Sequence, residues 1–143
     1  MINFSSAKAD DLSRPSNWRS RLSVAGAVLV AACSNGPDSS QIGTQAWGRF
    51  DVAVEVRPAP PRPGHNEVVV IVTGELHRPV YDALVSVRAD ARQDWVQAIE
   101  DGHVGVYRRA VYFGRDPATT LQVRLQRADS QAILEFPVTL APQ

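Results

Sequence analysis

The sequence predicts an all-β domain built as a sandwich of two sheets, and three observations predict it. Between residues 48 and 140, short segments of alternating apolar and polar residues are separated by turn residues. None of these segments repeats its apolar residues at the spacing of an amphipathic helix. The chain has 143 residues, 44% of them hydrophobic, which suits one globular domain.

The first two strands are predicted on either side of a proline-rich segment. In residues 50–56, apolar side chains occupy every second position, as in a half-buried strand. Pro58–Gly64 ends this strand, because proline cannot donate a hydrogen bond to a sheet. Residues 67–73 (EVVVIVT) are a continuous β-branched run, which is typical of a strand in the middle of a sheet.

The rest of the pattern predicts five further strands. Two of them are expected to form a hairpin around the turn residues Asp101 and Gly102. The others are shorter alternating segments bounded by polar residues. In chain order, the seven predicted strands are residues 50–56, 67–73, 83–89, 95–99, 104–113, 121–125 and 134–140.

Seven short strands in one domain indicate an immunoglobulin-like sandwich, although a transthyretin-like or fibronectin-like sandwich fits the same pattern. The intersheet disulfide of antibody domains is excluded, because Cys33 is the only cysteine. We therefore expect apolar packing alone to stabilise a domain at residues 48–143.

The first residues predict a secretory signal peptide at residues 1–32. Basic residues, the last of them Arg21, precede the uncharged run Leu22–Ala32 (LSVAGAVLVAA), which ends in small residues. This run is too short for a helix to cross the apolar core of a bilayer, which takes ~20 residues. A buried helix that happens to end in a cysteine is the alternative interpretation.

The run ends in Val30-Ala31-Ala32-Cys33, which resembles the lipobox of bacterial lipoproteins. The resemblance implies that Cys33 receives a diacylglyceryl thioether and becomes the first mature residue, anchored by several acyl chains. We therefore expect a lipid-anchored protein that faces the periplasm. Ser34 stands where an aspartate would retain a lipoprotein in the inner membrane, which favours the outer membrane. Residues 33–47, rich in Ser, Gly, Asn, Gln and Thr, predict a flexible tether.

The order of features in residues 48–140 resembles the YtkA-like domain, a family of small β-sandwich modules that includes FixH-type proteins. The resemblance is carried by Pro79–Val85, by the Gly-x-Tyr segment Gly105–Tyr107 and by the closing strands in residues 121–140. Residues 116–120 depart from the family, because many members have a Gly-Trp pair before the next-to-last strand. The resemblance implies a β-sandwich and, through the FixH-type members, a link to copper and to the assembly of respiratory oxidases.

Candidate metal ligands are few. Soft Cu(I) prefers sulfur ligands, but a mature chain that starts at a lipidated Cys33 has no methionine and no free thiol. The histidines His65, His77 and His103 lack the close spacing of paired metal ligands. They remain weak metal candidates, and we expect plain surface histidines in loops and no cofactor.

Catalytic and nucleic-acid-binding signals are also weak. The motifs Gly-x-Ser-x-Gly and His-Glu-x-x-His do not occur. The carboxylates of Asp90, Asp94, Glu100 and Asp101 are interpreted as a solvated strand edge, with a catalytic carboxylate pair as the alternative. The chain has 15 basic and 15 acidic residues, so it lacks the net positive charge that is typical of proteins that bind nucleic acid. We predict that the protein is not an enzyme.

One strand suggests a partner surface. Arg108 and Arg109 lie between aromatic residues, a composition that is favoured at protein interfaces. Adjacent strand residues face opposite sides, so one of the two arginines points inward or lies at an edge. The hypothesis is that Arg108, Arg109 and Tyr112 contribute to binding a partner. The alternative is that edge arginines cover core aromatic residues.

Together these inferences predict a membrane-anchored lipoprotein that acts as a non-enzymatic binding or accessory module for a protein partner in the cell envelope. The alternative is a metal-handling protein, for copper, or an oxidase-assembly protein of the FixH type.

Overall fold

The structure is a computed structural model that describes residues 39–142. These residues form two antiparallel β-sheets on either side of one apolar core, which confirms the predicted all-β sandwich. The predicted signal peptide, Cys33 and the first residues of the predicted tether lie outside the described residues. Within residues 39–142, no helix is long and apolar enough to cross a membrane.

Nine strands form in residues 39–142, two more than predicted. In chain order they are β1 (Ser40–Trp47), β2 (Phe50–Arg57), β3 (Gly64–Thr73), β4 (Leu84–Arg88), β5 (Val96–Gln97), β6 (Ile99–Glu100), β7 (Val106–Phe113), β8 (Ala118–Arg127) and β9 (Ser130–Thr139). One sheet has the order β1-β2-β3-β7-β6, and the other has the order β5-β4-β8-β9. A short 3-10 turn, Glu75–His77, lies between β3 and β4.

The predicted flexible tether at residues 33–47 is wrong for residues 40–47, which form β1 and pair with β2. Trp47 is buried, Ile42 packs against the core, and a ring carbon of Phe136 lies 3.6 Å from a Cβ built on Gly43. This strand is hard to recognise in the sequence because β1 lies at the edge of its sheet and exposes the polar residues Gln41 and Thr44. Polar edge strands are common, since they discourage pairing with other chains.

The predicted strand at residues 95–99 is divided between the two sheets. β5 pairs with β4 in one sheet, whereas β6 pairs with β7 in the other. The chain crosses from one sheet to the other at Ala98, which is buried and whose N–H donates to the carbonyl oxygen of Val85. Alternation alone cannot show this crossing, because the apolar pattern continues through it.

The core consists mainly of β-branched and aliphatic side chains from both sheets. The valines at alternate positions of β2 and β3 face β4, β8 and β9 across the sandwich. β3 is central in its sheet, as its uninterrupted aliphatic run predicts. The valines that are fully shielded from solvent in these two strands are Val52, Val54, Val56, Val68, Val70 and Val72.

The two ends of the sandwich differ in what they carry. One end, here named the loop end, consists of the connections at residues 48–49, 74–83, 101–105 and 128–129. The opposite end holds the start of β1 and the connections at residues 58–63, 89–95 and 114–117. The first described residues, at the start of β1, therefore lie at the end of the domain opposite the loop end.

Candidate partner-binding surface

The loop end is organised by a close contact between two of its connections. The N–H of Val72 donates to the carbonyl oxygen of Gly105 at 2.8 Å, and the N–H of Val80 donates to that of Val72 at 3.0 Å. A Cβ on Gly105 would lie 2.6 Å from the Val72 oxygen and 2.8 Å from the Val80 nitrogen. Gly105 also has a φ of +72°. Both this backbone conformation and the lack of room for a Cβ therefore require glycine at this position.

A buried tyrosine in β7 holds the β3–β4 connection from the side of the core. The hydroxyl of Tyr107 donates to the carbonyl oxygen of Val80 at 2.9 Å and accepts from the N–H of Ala83 at 3.3 Å. Burial raises the pKa of Tyr107, so the hydroxyl remains a donor at neutral pH. Gly105–Tyr107 and Pro79–Val85, which the sequence singles out separately, are therefore in direct contact and hold the β3–β4 connection in place.

Exposed apolar side chains concentrate at the loop end. Of seven exposed large hydrophobic residues in the described chain, five lie in its connections or in the strand ends beside them. Leu76, Tyr81 and Val104 lie in the connections themselves, whereas Ile99 and Leu84 lie on the outer faces of different sheets. The five are Leu76 (84% exposed), Ile99 (67%), Tyr81 (56%), Val104 (54%) and Leu84 (42%), and we name them the loop-end patch.

The backbone at the loop end is unusual as well. Four non-glycine residues of the described chain have a positive φ, and all four lie in these connections. Such conformations cost ~1 kcal/mol or more for a residue with a Cβ and are concentrated at functional sites. The four residues are Leu76, His77, His103 and Ala128.

A cleft of about 420 Å³ opens beside the patch. Its floor is Phe50, whose ring lies 3.4 Å from a Cβ built on Gly74. Its rim carries Arg49, Glu75, Arg78 and Arg127. A second cleft, of about 560 Å³, lies at the opposite end and is lined by no charged residue.

Two of the arginines flank Phe50. The Cζ atoms of Arg49 and Arg127 lie 5.4 and 5.3 Å from the centroid of its ring, within the range of cation–π attraction. Arg127 also donates from Nε to Oδ1 of Asp82 at 2.6 Å. This hydrogen bond lowers the pKa of Asp82 and raises the pKa of Arg127, so the pair stays ionised at neutral pH. Among residues 39–142, Arg49 forms no ion pair.

The structure does not bring the three histidines together. His65 is in β3, not in the predicted loop, and its ring lies 5.4 Å from that of Tyr112, near the end opposite the loop end. His77 and His103 are both exposed in loop-end connections. Nδ1 of His103 lies 3.2 Å from a carboxylate oxygen of Glu100. Within residues 39–142, no group of three or more His, Cys, Asp or Glu side chains is arranged to hold a metal ion.

The residues of the hypothesised partner surface on β7 divide between the two faces of the sheet. Arg109 is on the inward side with Tyr107, whereas Arg108 and Tyr112 are on the outward side. Nε of Arg108 donates to Oδ2 of Asp101 at 2.8 Å, and this bond raises the pKa of Arg108. Tyr112 is 51% exposed beside His65.

The acidic residues that the sequence singles out are also separated. Asp90 and Asp94 lie in the β4–β5 connection, whereas Glu100 and Asp101 lie at the loop end. Arg92 hydrogen-bonds to Asp90 and lowers the pKa of that carboxyl to about 2. The four carboxylates therefore do not form one cluster.

Sequence reasoning missed the residues of the cleft and most of the patch. Leu76 offered a signal, because it is the one aliphatic residue in the polar segment Glu75–Arg78. Arg49 and Arg78 offered none, since single arginines in turns are ordinary.

No protein-family profile matches the chain, and neither curated proteins nor solved structures give a significant match.

Proposed function

We propose that the protein is a lipid-anchored, non-enzymatic binding module whose loop end binds a protein partner in the cell envelope. The observation that carries the proposal is the concentration of five exposed apolar residues at this end. Aromatic residues and arginine are the residue types enriched at protein interfaces, and the loop end presents both beside these apolar side chains.

The proposed domain type is an immunoglobulin-like sandwich of the YtkA-like kind. In support, β2-β3-β7-β6 and β4-β8-β9 have the order of the ABED and CFG sheets of immunoglobulin domains, with β1 and β5 added at the edges. The contact of Gly105–Tyr107 with Val80 gives the two segments that carry the family resemblance a shared structural role.

The proposed anchor and the proposed binding surface lie at opposite ends of the domain. Cys33, the proposed lipidation site, precedes Ser40 by seven positions, and β1 starts at the end opposite the loop end. A fully extended chain of that length spans at most ~25 Å. Lipidation of Cys33 would therefore keep the opposite end near the membrane and leave the loop end accessible in the periplasm.

The experiment compares partner capture by matched surface variants of the full lipidated chain in its native host. The test variant, Leu76→Ser with Tyr81→Ser, alters the patch, and the control, Ile133→Ser, alters a 50% exposed side chain on β9. We expect a stoichiometric partner to co-purify with the parent chain and the control, and to be lost from the test variant. Equal capture by all three chains would contradict the proposed surface.

The same preparation tests the anchor and the alternative function. Mass spectrometry of the peptide that begins at Cys33 should show the acyl modification, and Cys33→Ser should release the protein from the membrane. Stoichiometric copper or zinc, lost on substitution of His77 or His103, would instead favour the metal-handling function implied by the FixH-type resemblance.

A further inference from the structure

We infer that the cleft beside the loop-end patch recognises a carboxylate attached to a bulky apolar group. This inference rests on the proposed partner-binding function and specifies the chemistry of the partner segment. The cleft combines an apolar floor with three arginines on its rim, and these two features define the ligand.

The apolar residues of the floor and walls determine which apolar group the cleft can accept. Phe50 is half-buried at the start of β2, and its ring packs against that of Trp47 with a centroid distance of 5.4 Å. Val80 is almost fully buried, while Leu76 and Pro79 extend the wall toward solvent. An aromatic or large aliphatic side chain entering here would shield Phe50 and Leu76 from water.

The net charge of the rim determines the ligand charge that is complementary to it. Arg49, Arg78 and Arg127 are balanced in part by Glu75 on the rim and by Asp82, which pairs with Arg127. One positive charge remains in excess. A carboxylate carries the single negative charge that balances it, whereas a phosphate monoester carries about −1.5 to −2 at neutral pH.

The backbone that carries Arg49 and Arg78 is held in place before a ligand arrives. The N–H of Gly74 donates to the carbonyl oxygen of Arg78 at 2.8 Å, and the N–H of Arg78 donates to that of Glu75 at 3.3 Å. These bonds close the short turn that carries Arg78. Arg49 follows Gly48, whose φ of +60° forms the tight β1–β2 turn. Binding then orders little further backbone, which favours recognition of a short segment.

Guanidinium groups recognise carboxylates through paired hydrogen bonds, and a charge-assisted bond is about twice as strong as a neutral one. Among residues 39–142, neither Arg49 nor Arg78 is engaged in an ion pair. Both can therefore bind a carboxylate without breaking an existing pair.

The test titrates small probes into the full chain and follows backbone amide shifts by NMR. N-acetyl-phenylalanine carries the carboxylate at a chain terminus, and N-acetyl-glutamyl-phenylalaninamide carries it on a side chain. N-acetyl-phenylalaninamide is the neutral control of the same shape, and phenyl phosphate is the doubly charged competitor. We expect one of the two carboxylate probes to shift residues 48–50 and 74–80, and the one that binds more tightly identifies the source of the carboxylate.

Matched variants locate the site. Arg78→Gln and Arg49→Gln should each weaken binding of the carboxylate probe ~10-fold, in keeping with the loss of one charge-assisted hydrogen bond. Arg115→Gln, an exposed arginine in the β7–β8 connection, should leave it unchanged. Equal binding of the neutral amide, tighter binding of phenyl phosphate, equal effects of all three variants, or no binding of either carboxylate would each overturn the inference.

The outcome is separable from that of the proposed function. If the Leu76→Ser, Tyr81→Ser chain loses its partner while Arg49→Gln and Arg78→Gln retain it, the surface stands and the carboxylate inference fails. If the carboxylate probe binds but the patch variant still captures the partner, the cleft stands and the proposed partner surface fails.

Discussion

The contact between Gly105 and the β3–β4 connection can be tested against a matched glycine in the same turn. Gly102 and Gly105 have φ values of +75° and +72°, so alanine meets the same backbone penalty at both positions. A Cβ at Gly102 has no heavy atom within 4 Å, whereas a Cβ at Gly105 meets the backbone of Val72 and Val80. The difference between the two alanine variants therefore measures the close approach alone.

The expected magnitudes follow from these distances. Gly102→Ala should lower the free energy of unfolding by ~1 kcal/mol, the cost of placing a Cβ in the left-handed region. Gly105→Ala should add ~1–3 kcal/mol of steric strain. It should also weaken, without abolishing, two hydrogen bonds of the contact, the one from Val72 to Gly105 and the one from Val80 to Val72, at ~0.5 kcal/mol each. The total for Gly105→Ala is ~3–5 kcal/mol.

Chemical denaturation of both full-length variants, followed by circular dichroism in the β-sheet region, measures the difference. Fits that share one denaturant dependence give the free energy of unfolding for each chain. We expect Gly105→Ala to be less stable than Gly102→Ala by ~2–4 kcal/mol. Equal stabilities would refute the argument that the β6–β7 turn packs tightly against the β3–β4 connection.

Three further predictions concern single side chains. Tyr107→Phe should cost ~2 kcal/mol, because two backbone groups lose their partner, whereas Tyr112→Phe, with an exposed ring, should cost nearly nothing in the same denaturation assay. Because the hydrogen bond from Arg127 lowers the pKa of Asp82 below 3.8, its stabilisation is present above that value and is lost as the pH falls through the folded-state pKa. Asp82→Asn should therefore flatten the acid limb of the stability profile slightly, because solvent weakens the interaction in an exposed ion pair. Trp47→Ala should cost ~3 kcal/mol as a core residue of β1, and a loss below ~0.5 kcal/mol would restore the interpretation of this segment as a tether.

Much of the fold follows from the sequence because alternation reports burial directly. Residues 50–56 and 67–73 are recognisable as strands, since apolar side chains at every inward position and β-branched residues in a run are typical of buried strands. The edge strand β1 is not recognisable in this way. Its backbone pairing with β2 and the burial of Trp47 and Ile42 decide its conformation, and both depend on partners distant in sequence.

Less of the candidate site than of the fold could be predicted from the sequence. The strand period establishes that Arg108 and Arg109 face opposite sides, and the structure adds that Arg109 is the inward one. The cleft required knowledge of tertiary structure, because Arg49 and Arg78 come from two different connections and Arg127 from the end of β8, beside a third. Only the folding of the sandwich brings these connections to one end.

The loop end separates the residues that build the surface from those that would recognise a partner. Gly105 and Tyr107 hold the β3–β4 connection through buried backbone contacts, so changing either destabilises the domain. Leu76 and Arg78 project from that connection into solvent, where substitutions typically change stability by less than ~0.5 kcal/mol. On the proposed function, the partner that is bound could therefore change without loss of the fold. The residues that carry the proposed family resemblance belong to the first kind, so they concern the framework, whereas recognition of the proposed partner would depend on the second kind.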